Sequence, residues 1–526
     1  KNAVDKYTMF TLENMLFYDK TFNDKHTLGV TLLQSIQEDK RESVNVAMEN
    51  LPADNLKYYD LGSGLVTNTI GSAMVKWNMA SFMGRINYNY LGRYLLTVSA
   101  RYDGSSRLAD GHKWVLFPSA ALAWRINEES FMSSTSGWLD NLKLRLGFGK
   151  TGNSAVDPYQ TKGTLSLIRY PFDNGGTPTI GYAPNAMANS LLTWETTDQW
   201  NLGIDFGVLR GRINGTIDLY MQNTHDLLLK RQLPVVSGFP DVLSNVGKTR
   251  NKGIEVSINS MNINSKDFQW TTDLMLSSNK EEIVELYNGK NDDIGSKWFI
   301  GQPVNVHYDY RKVGIWQNTE SDLAEMAKFA ANGTEFAPGD IKIQDVNGDY
   351  KITDADKQIL GNPRPKLIAS MVNTFNYKGF DLSVFLYASF GAMLYNDIYA
   401  VEHCGRNGGV KVDYWTPNNP TNAYPRPSID EERPIYITST YYEKADFLRV
   451  KTMTLGYTLP KTLTNKFLVE KLRVYFTAQN PFIFTNYTGI DPEAAKVNSA
   501  GNPETNGSGF GTPSVSSWIF GINLTL

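Results

Sequence analysis

The sequence predicts an all-β protein, a transmembrane antiparallel β-barrel with roughly 14–16 strands, long extracellular loops and short periplasmic turns. Three observations lead to this prediction. Apolar residues recur at every second position in segments of about ten residues, which is the length a tilted strand needs to cross a bilayer. Short and long connections largely alternate between these segments, and the last segment stays apolar up to the C-terminal residue.

The alternation is clear in three segments that lie far apart in the chain. In each of them one face is apolar and the opposite face is mostly polar, as expected for a half-buried strand. The apolar sets are Tyr94, Leu96, Val98, Ala100 and Tyr102; Ile213, Gly215, Ile217, Leu219 and Met221; and Phe380, Leu382, Val384, Leu386, Ala388 and Phe390. Helical periodicity is convincing only around residues 321–331.

The connections predict which end of each strand faces outward. Tight turns are expected at 91–93, 208–211 and 378–379, and long polar connections at 47–72, 150–193, 229–246, 285–305, 317–365, 392–446 and 487–513. Such a difference between the two ends is typical of barrels with short periplasmic turns and elaborated extracellular loops. Aromatic residues near the tight turns, such as Tyr90, Tyr94 and Tyr377, suit an interfacial girdle.

The last strand and the composition narrow the alternatives. Apolar residues occupy every second position at the C-terminus, an edge that a soluble domain would seldom leave unprotected: Trp518, Phe520, Ile522, Leu524 and Leu526. The balance of 51 basic and 54 acidic residues gives no basic field for nucleic acid. A soluble or surface-anchored β-sheet protein that binds or hydrolyses carbohydrate is the first alternative, because alternating strands also build sandwiches.

Several strings, taken together and in order, carry a family resemblance. They are LKLRLGFGKTGN at 142–153, NVGKTRNKGIE at 245–255, DVNGD at 345–349, YWTPNNP at 414–420, FLRVK at 447–451 and YTGIDP at 487–492. The sequence resembles the SusC/RagA family of TonB-dependent outer-membrane transporters of Bacteroidetes. The resemblance covers essentially the whole chain.

The resemblance implies a 22-stranded barrel in the outer membrane of a Gram-negative bacterium, with a plug inside and a SusD-like surface lipoprotein as a lid. It implies import of oligosaccharides or peptides with energy from a TonB complex. The whole chain, 1–526, is then expected to be the C-terminal portion of one barrel, with the plug outside this chain. A passive porin is the second alternative.

One segment has the spacing of a calcium-binding loop of the EF-hand type. With Asp345 as position 1, side-chain oxygens fall at positions 1, 3, 5, 9 and 12, and a backbone carbonyl falls at position 7: Asp345, Asn347, Asp349, Thr353 and Asp356, with Lys351 supplying the carbonyl. Ca²⁺ is expected ahead of Mg²⁺. Two departures from the pattern are Tyr350 in place of a turn glycine and Asp in place of Glu at position 12. The other interpretation is a polar turn whose carboxylates cap backbone amides. The segment lies in the predicted extracellular loop 317–365.

The predicted loop 392–446 carries candidate contacts for substrate or lid. They are Tyr414, Trp415, Asn418, Tyr424 and Arg426, since aromatic rings stack on sugars and Asn or Arg can bond hydroxyl groups. The prolines around them equally suggest a rigid scaffold. No G-x-S-x-G, phosphate-binding loop or zinc-ligand spacing occurs, so we do not expect an enzyme.

Overall fold

The computed structural model describes residues 1–52, 55, 57, 59–172, 179–396, 411–428, 433–467, 469–493 and 513–526. Its main feature is one antiparallel sheet of fifteen strands, which agrees with the predicted number of segments. The strands are β1 (Asn2–Phe22), β2 (His26–Glu49), β3 (Val66–Tyr90), β4 (Tyr94–Ser105), β5 (Trp114–Arg125), β6 (Leu139–Asn153), β9 (Glu195–Val208), β10 (Ile213–His225), β13 (Lys248–Asn264), β14 (Phe268–Glu285), β19 (Leu367–Tyr377), β20 (Phe380–Phe390), β23 (Phe447–Thr458), β24 (Lys471–Thr485) and β25 (Ser517–Thr525).

The remaining elements lie in the connections. Five two-stranded ribbons pair β7 (Thr164–Tyr170) with β8 (Thr179–Ala186), β11 (Leu228–Gln232) with β12 (Asp241–Asn245), β15 (His307–Asp309) with β18 (Gln358–Gly361), β16 (Lys312–Ile315) with β17 (Ile341–Ile343), and β21 (Met393–Tyr395) with β22 (Tyr442–Lys444). The α-helices are α1 (Glu320–Ala331) and α2 (Lys461–Thr464). No helix in the described part of the chain is long and apolar enough to cross a membrane.

The main sheet is a meander, in which every strand pairs with its neighbour in this series. Connections therefore fall alternately at the two ends of the strands. Turns of two to four residues join β1 to β2, β3 to β4, β9 to β10, β13 to β14 and β19 to β20 at one end. The connections 154–194, 286–366, 391–446 and 486–516 all lie at the opposite end, which we call the outer end. The predicted difference between the ends is confirmed.

One face of the sheet is apolar and exposed; we call it the apolar face. The register places large side chains beside each other across successive strands: Leu16 beside Leu32, Ile86 beside Val98, and Leu122, Leu146, Leu202 and Leu219 in one row. All eight side chains are at least 40% exposed. Contact between so extensive an apolar surface and water is energetically unfavourable. Such a surface is expected where a sheet contacts lipid.

Aromatic rings border the apolar face on both sides. Next to the short turns, ring centroids are 4.8 Å apart for His26 and Tyr90 and 6.3 Å apart for Tyr90 and Tyr94. Towards the outer end, Trp114 stacks with Tyr102 at 5.0 Å and with Phe82 at 6.3 Å. Tyr90 and Phe82 are eight residues apart on β3, which corresponds to about 26 Å of strand. At the ~40° tilt of outer-membrane barrel strands this covers roughly 20 Å along the membrane normal, most of the ~25 Å apolar band.

A buried charge cluster attaches the last long connection to the sheet. Arg449 on β23 forms ion pairs with Asp491 and with Glu493, the latter at 3.1 Å, and Lys451 pairs with Glu493 as well. The side chains of Arg449 and Asp491 are both almost fully buried. Asp491 also accepts hydrogen bonds from the backbone N–H groups of Glu493 and Ser514. It therefore joins the two described pieces of this connection, 486–493 and 513–516.

We expect Arg449→Met to destabilise the outer end, because it leaves the buried Asp491 carboxylate without its cation. Removing one partner of a buried ion pair costs about 3–5 kcal/mol. Limited proteolysis of the detergent-extracted protein should show faster cleavage in 486–516. Adding Asp491→Asn should recover part of the loss, and Lys451→Met should have a smaller effect because Lys451 is more exposed. Equal cleavage of Arg449→Met and the unchanged protein would contradict the assignment.

Candidate functional site on the polar face and in the outer loops

The polar face, opposite to the apolar one, carries ion pairs that cross from strand to strand. Arg145 on β6 reaches Asp205 on β9 at 2.8 Å and Asp218 on β10 at 3.0 Å. The intervening strand permits this because Gly203 has no side chain; a Cβ there would lie 2.5 Å from the guanidinium carbon of Arg145. Sequence alternation predicted a polar face here, but not the three-strand network, because its partners are 60 and 73 residues away.

A second polar group lies on the same face nearer to β1. Arg101 donates to Asp103 at 2.7 Å and to the hydroxyl of Ser81 at 2.9 Å. Asp103 and Ser81 are buried although they lie on a sheet with two open faces. The paired charges give this face hydrophilic groups that are fixed in position, which is the surface that a water-filled path for polar solutes needs.

The two longest connections, 286–366 and 391–446, fold together at the outer end into what we call the loop domain. Its apolar core draws on both connections: Ile315, Ile341, Ile343, Trp415, Tyr424, Ile437 and Tyr441. A second cluster, Trp316, Met326 and Phe329, packs α1 against it. Helix α1 matches the predicted helical segment and begins after Thr319, whose hydroxyl accepts a hydrogen bond from Asp322 N–H.

Hydrogen bonds join the two halves of the loop domain. Ring nitrogen Nε2 of His307 lies 2.8 Å from the carbonyl oxygen of Met393. Trp415 Nε1 donates to Gln317 at 2.8 Å. The connections 285–305 and 317–365, which the sequence predicts as separate loops, form one continuous connection in the structure. The reason is that the segment between them forms β15 and β16, which do not pair with the main sheet.

The calcium-like segment forms a compact turn in the loop domain. Its side-chain oxygens accept backbone N–H groups of the same segment: Asp345 from Gly348 and Tyr350, Asn347 from Asp349, Asp349 from Lys351, and Asp356 from Val346 and Thr353. The amide-capping interpretation therefore describes these hydrogen bonds. Each of these carboxylate oxygens keeps a second lone pair that the backbone hydrogen bonds do not use.

Tyr350 occupies the position where the calcium-loop pattern has glycine. Its φ of 55° is in the left-handed region, so the backbone adopts the expected turn in spite of the side chain. The ring is held by packing: its centroid is 5.5 Å from that of Phe329, and Lys328 Nζ lies 5.2 Å above it. Among the residues that the structure describes, no group of three or more His, Cys, Asp or Glu side chains is close enough to hold a metal ion.

The five predicted contact residues do not form one surface. Trp415 and Tyr424 are buried in the core of the loop domain, at 6% and 8% exposure, so their rings serve packing in this structure. Arg426 donates to Asp340 Oδ1 at 2.8 Å while part of its side chain stays exposed. Tyr414 and Asn418 are exposed. This distribution fits the scaffold interpretation better than a continuous aromatic platform. Residues 397–410 and 429–432 of the predicted loop 392–446 lie outside the described residues.

A cavity of about 330 Å³ lies in the loop domain and was not predicted. Phe336, Ile352 and Tyr436 form apolar walls, and Asp340 and Arg426 form a charged rim. Burial raises the pKa of the Tyr436 hydroxyl, and the nearby Asp356 carboxylate adds to this effect. The cavity joins segments that are far apart in sequence, so local motifs could not reveal it.

The hairpin β7–β8 is the other feature that sequence reasoning missed, because it lies in a connection interpreted as a polar loop. Its strands carry exposed apolar side chains, with Leu165 67%, Tyr170 60% and Tyr182 70% exposed. Leu167 and Tyr182 are cross-strand neighbours. An isolated two-stranded hairpin is marginally stable in water, and contiguous exposed apolar area of this kind marks an interaction surface. The period-two pattern of Thr164–Tyr170 was the available signal.

We expect the loop domain to loosen as the pH falls below about 6.5. Burial lowers the pKa of His307 from its ordinary value of 6.5, and Lys297 adds to the effect. The unfolded segment therefore binds more protons than the folded one in this range, so stability is full above pH 6.5 and declines below it. Tyr442, whose ring packs on His307, has a raised pKa and stays neutral.

Limited proteolysis of the extracted protein between pH 8 and pH 5 measures this effect. The variant His307→Gln keeps a donor for the Met393 carbonyl oxygen but does not titrate in this range, so its cleavage rate should depend less on pH. Identical pH profiles for the two proteins would refute a role for His307.

Comparisons with known proteins agree with this architecture. The family described as "TonB dependent receptor-like, beta-barrel" matches residues 4–480. The sequence is 32% identical to TonB-dependent receptor P3 of Formosa agariphila over 97% of this chain and 52% of that protein. It is 35% identical to TonB-dependent receptor SusC of Bacteroides thetaiotaomicron over 79% of this chain and 41% of that protein. The chain thus spans about half the length of the curated relatives it matches.

A solved structure described as the RagAB peptide transporter superposes with a TM-score of 0.81, at 22% identity, over 99% of this chain and 56% of that chain. The RagAB peptide importer in an open-open state gives the same TM-score at 23% identity. At these identities the likeness concerns the fold.

Proposed function

Because the chain belongs to the TonB-dependent receptor-like β-barrel family, we propose that it forms the wall of a SusC/RagA-type transporter that imports oligosaccharides or peptides. Proteins of this family lie in the outer membrane of Gram-negative bacteria, and this localisation applies to the chain. The apolar face, with its two aromatic borders, supports the same conclusion. The soluble alternative does not fit, since it would leave that face in water.

The observation that supports transport most directly is the fixed polar face. Ion-paired networks around Arg145 and Arg101 keep charged groups on the side of the sheet that faces away from lipid. Paired charges give polar solutes hydrogen-bonding partners along the wall without presenting one strong field to them. Energy from a TonB complex and closure by a plug belong to the proposal through the family. Within the described residues we assign neither a TonB-contacting segment nor a plug.

The proposed substrate is an oligosaccharide or a peptide, the two classes that the family resemblance and the relatives' names indicate. For this chain we propose that Tyr414, Asn418 and the exposed part of Arg426 are the members of the predicted set that are free to contact substrate. Trp415 and Tyr424 would act by holding the loop in place. A pyranose ring or a peptide side chain could stack on Tyr414, and Asn418 has amide groups for hydroxyl or peptide contacts.

A SusD-like surface lipoprotein is the proposed partner, and the hairpin β7–β8 is its proposed docking surface. The hairpin lies at the outer end, and one of its faces presents Leu167 beside Tyr182 with Leu165 next to them. Covering these side chains would stabilise both the hairpin and the complex, because the apolar area leaves water at about 25 cal/mol per Å².

We expect the double variant Leu167→Lys, Tyr182→Lys to lose its lipoprotein partner and most of its uptake activity. Two lysines would have to be desolvated in the interface. The measurement is co-purification of the lipoprotein with the tagged protein from detergent-extracted outer membranes, together with uptake of labelled oligosaccharides and oligopeptides by cells. The uptake assay also identifies the substrate class, because it shows whether cells with the unchanged protein take up the labelled oligosaccharide or the labelled oligopeptide while cells with the variant do not.

The matched control is Val236→Lys, which makes the same change at another exposed apolar residue of the outer end. It should retain the partner. If the hairpin variant retained partner and uptake, the docking surface would be wrong. If the unchanged protein neither carried a lipoprotein nor supported uptake of either class, the transport proposal itself would fail.

Calcium binding at 345–356 is a further part of this proposal. Support comes from the ligand spacing and from the left-handed backbone at Tyr350, which is the turn that such loops require. Ca²⁺ would need the carboxylates of Asp345, Asp349 and Asp356 to turn inward. Bound Ca²⁺ would stabilise the loop domain, because Asp356 is buried beside the domain's core.

We expect calorimetric titration of the purified protein with Ca²⁺ to give a binding signal that Asp345→Ala, Asp349→Ala abolishes. Mg²⁺ should bind more weakly, because it demands stricter octahedral geometry. The control variant Glu320→Ala, Glu335→Ala removes the same charge from exposed positions of the same connection and should bind normally. Identical traces for the unchanged protein and the Asp variant would end the proposal.

A further inference from the structure

Strand β3 extends well beyond the strand that follows it. Its pairing with β4 ends at Met79, opposite Ser105, whereas its pairing with β2 continues to Val66. The segment from Ile70 to Met74 therefore has a strand on one side only, within the part of the chain that the structure describes. We call the other side of this segment the free edge.

The direction of the backbone groups along the free edge follows from two residues of β3 that lie just inside it. The N–H of Asn78 donates to the Ser106 hydroxyl at 2.8 Å, and the N–H of Lys76 donates to the Tyr159 hydroxyl at 3.2 Å, so both point away from β2. In an antiparallel ladder every second residue points to the same side. Met74, Ser72 and Ile70 thus direct their N–H and C=O groups to the free edge, where no described residue bonds them.

The usual protections of an edge strand flank this stretch but do not occur within it: the register with β2 shifts at Thr67–Thr69 on one side, and Lys76 follows on the other. Natural proteins blunt exposed edges with proline, bulges or several charges. Between Ile70 and Met74 there is no proline, no charged residue and no shift in register with β2. Ile70 and Met74 are exposed, and a Cβ on Gly71 would meet nothing within 4 Å. The edge is open to the approach of another strand.

A groove of about 580 Å³ lies along the inner part of this edge. Its walls include Met74 and Lys76 of β3, the connection 106–113 and the segment 158–162. Three lysines, Lys76, Lys113 and Lys162, and one acid, Asp110, line it, and Glu38 lies beside Lys76, so the net formal charge of this group is +1. Lys76 and Lys113 pair with Glu38 and Asp110, which leaves the ammonium group of Lys162 as the cation best placed to attract a carboxylate.

We propose that an extended, acidic segment of a partner protein adds to β3 as a strand along Ile70–Met74. Main-chain hydrogen bonds would provide affinity, and the basic groove would select acidic side chains, as in other cases of strand addition. Transported substrate is a poorer candidate. Met74, Lys76 and Asn78 project on the side of the sheet that carries the apolar face, which is outside the transport path.

A second copy of this chain is excluded by symmetry. Two copies in one membrane are related by an axis along the membrane normal, so their β3 strands would run in the same direction. Rotation about that axis would place the same edge of each β3 strand against the other, with N–H groups facing N–H groups. A parallel ladder cannot form in this arrangement, because the N–H groups of one strand must face the C=O groups of the other. The symmetry argument thus leaves a segment outside the described residues as the occupant, and we assign it to the partner protein.

The height of the edge indicates which part of the partner binds there. Met74 is eight residues beyond Phe82, the outer aromatic border, and thus about 26 Å along the strand from the lipid boundary. A lipid-anchored surface protein needs a stretch of chain between its anchor and its folded body, and that stretch passes this height. This step rests on the proposed lipoprotein partner.

The substitution Ser72→Pro tests the proposal. Proline removes the N–H that points to the free edge and leaves the pairing with β2 intact, and edge strands tolerate it. Ser72→Ala is the control, because it keeps the N–H. The probe is a fluorescent acetyl-Glu-Val-Glu-Val-Glu-Val-amide peptide, and its binding to the full protein in detergent is followed by fluorescence anisotropy. An analogue with N-methylated alternate amides cannot form the ladder.

We expect the peptide to bind the unchanged protein and Ser72→Ala, and to lose at least ~10-fold in affinity with Ser72→Pro, a change of about 1.4 kcal/mol. Lys162→Glu should weaken binding too, and the N-methylated analogue should not bind. Equal binding by Ser72→Pro and Ser72→Ala would overturn the proposal. Heat-modifiable gel migration of each variant confirms that the barrel has folded.

Co-purification of the lipoprotein separates this inference from the proposed function. The variant Ser72→Cys, oxidised in intact cells, should cross-link to cysteines placed in the segment of the lipoprotein just after its lipid anchor. If the lipoprotein co-purifies but no position in that segment cross-links, the strand-addition inference fails and the transporter proposal stands. If no lipoprotein co-purifies with the unchanged protein, the partner proposal fails, and the peptide assay alone decides whether the edge binds a strand.

Discussion

The structure depends on the need of every backbone N–H and C=O group to find a partner where water is absent. A continuous antiparallel ladder meets this need in the main sheet, because each strand from β2 to β24 bonds a neighbour on both sides. Once the ladder is formed, successive side chains of each strand point to opposite faces of the sheet, and this alternation determines the chemistry of the two faces. One face must be apolar to lie in lipid, and the other is free to carry charges such as Arg145 and Asp205.

Outside the lipid the same requirement is met by different means. The outer connections use side chains to bond backbone groups, as Asp491 does for Ser514 and Asp345 does for Tyr350. They also need apolar cores of their own, since the sheet offers them none. The loop domain obtains its core by combining two connections, and the Arg449 cluster fixes a third to β23. The proposed contact residues of the molecule therefore lie on small domains held by a few specific contacts.

How far the sequence could predict this molecule follows from the range of the interactions involved. Strand periodicity is local, so the number of strands, the alternation of turns and helix α1 were predicted correctly. The ribbons β15–β18 and β16–β17 were not, because strands of three or four residues carry no periodic signal. Trp415 illustrates the limit for the site: an aromatic ring in a proline-rich loop suggests sugar stacking, but its burial depends on Ile315 and Ile341, more than 70 residues away. The role of the acidic segment 345–356 stays a prediction.

The contrast between the inner and outer parts of β3 shows how one strand serves two environments. Between Tyr90 and Phe82 both of its edges are bonded, and its even-numbered side chains meet lipid. Beyond Met79 the ladder with β4 ends, and the strand enters water, where unpaired backbone groups can bond solvent at little cost. The outer stretch Val66–Asn78 pairs with β2 but not with β4, so its backbone forms one ladder instead of two. In the strand-addition proposal this second, unbonded side is what the outer half of β3 offers to a partner, whereas the inner half belongs to the wall.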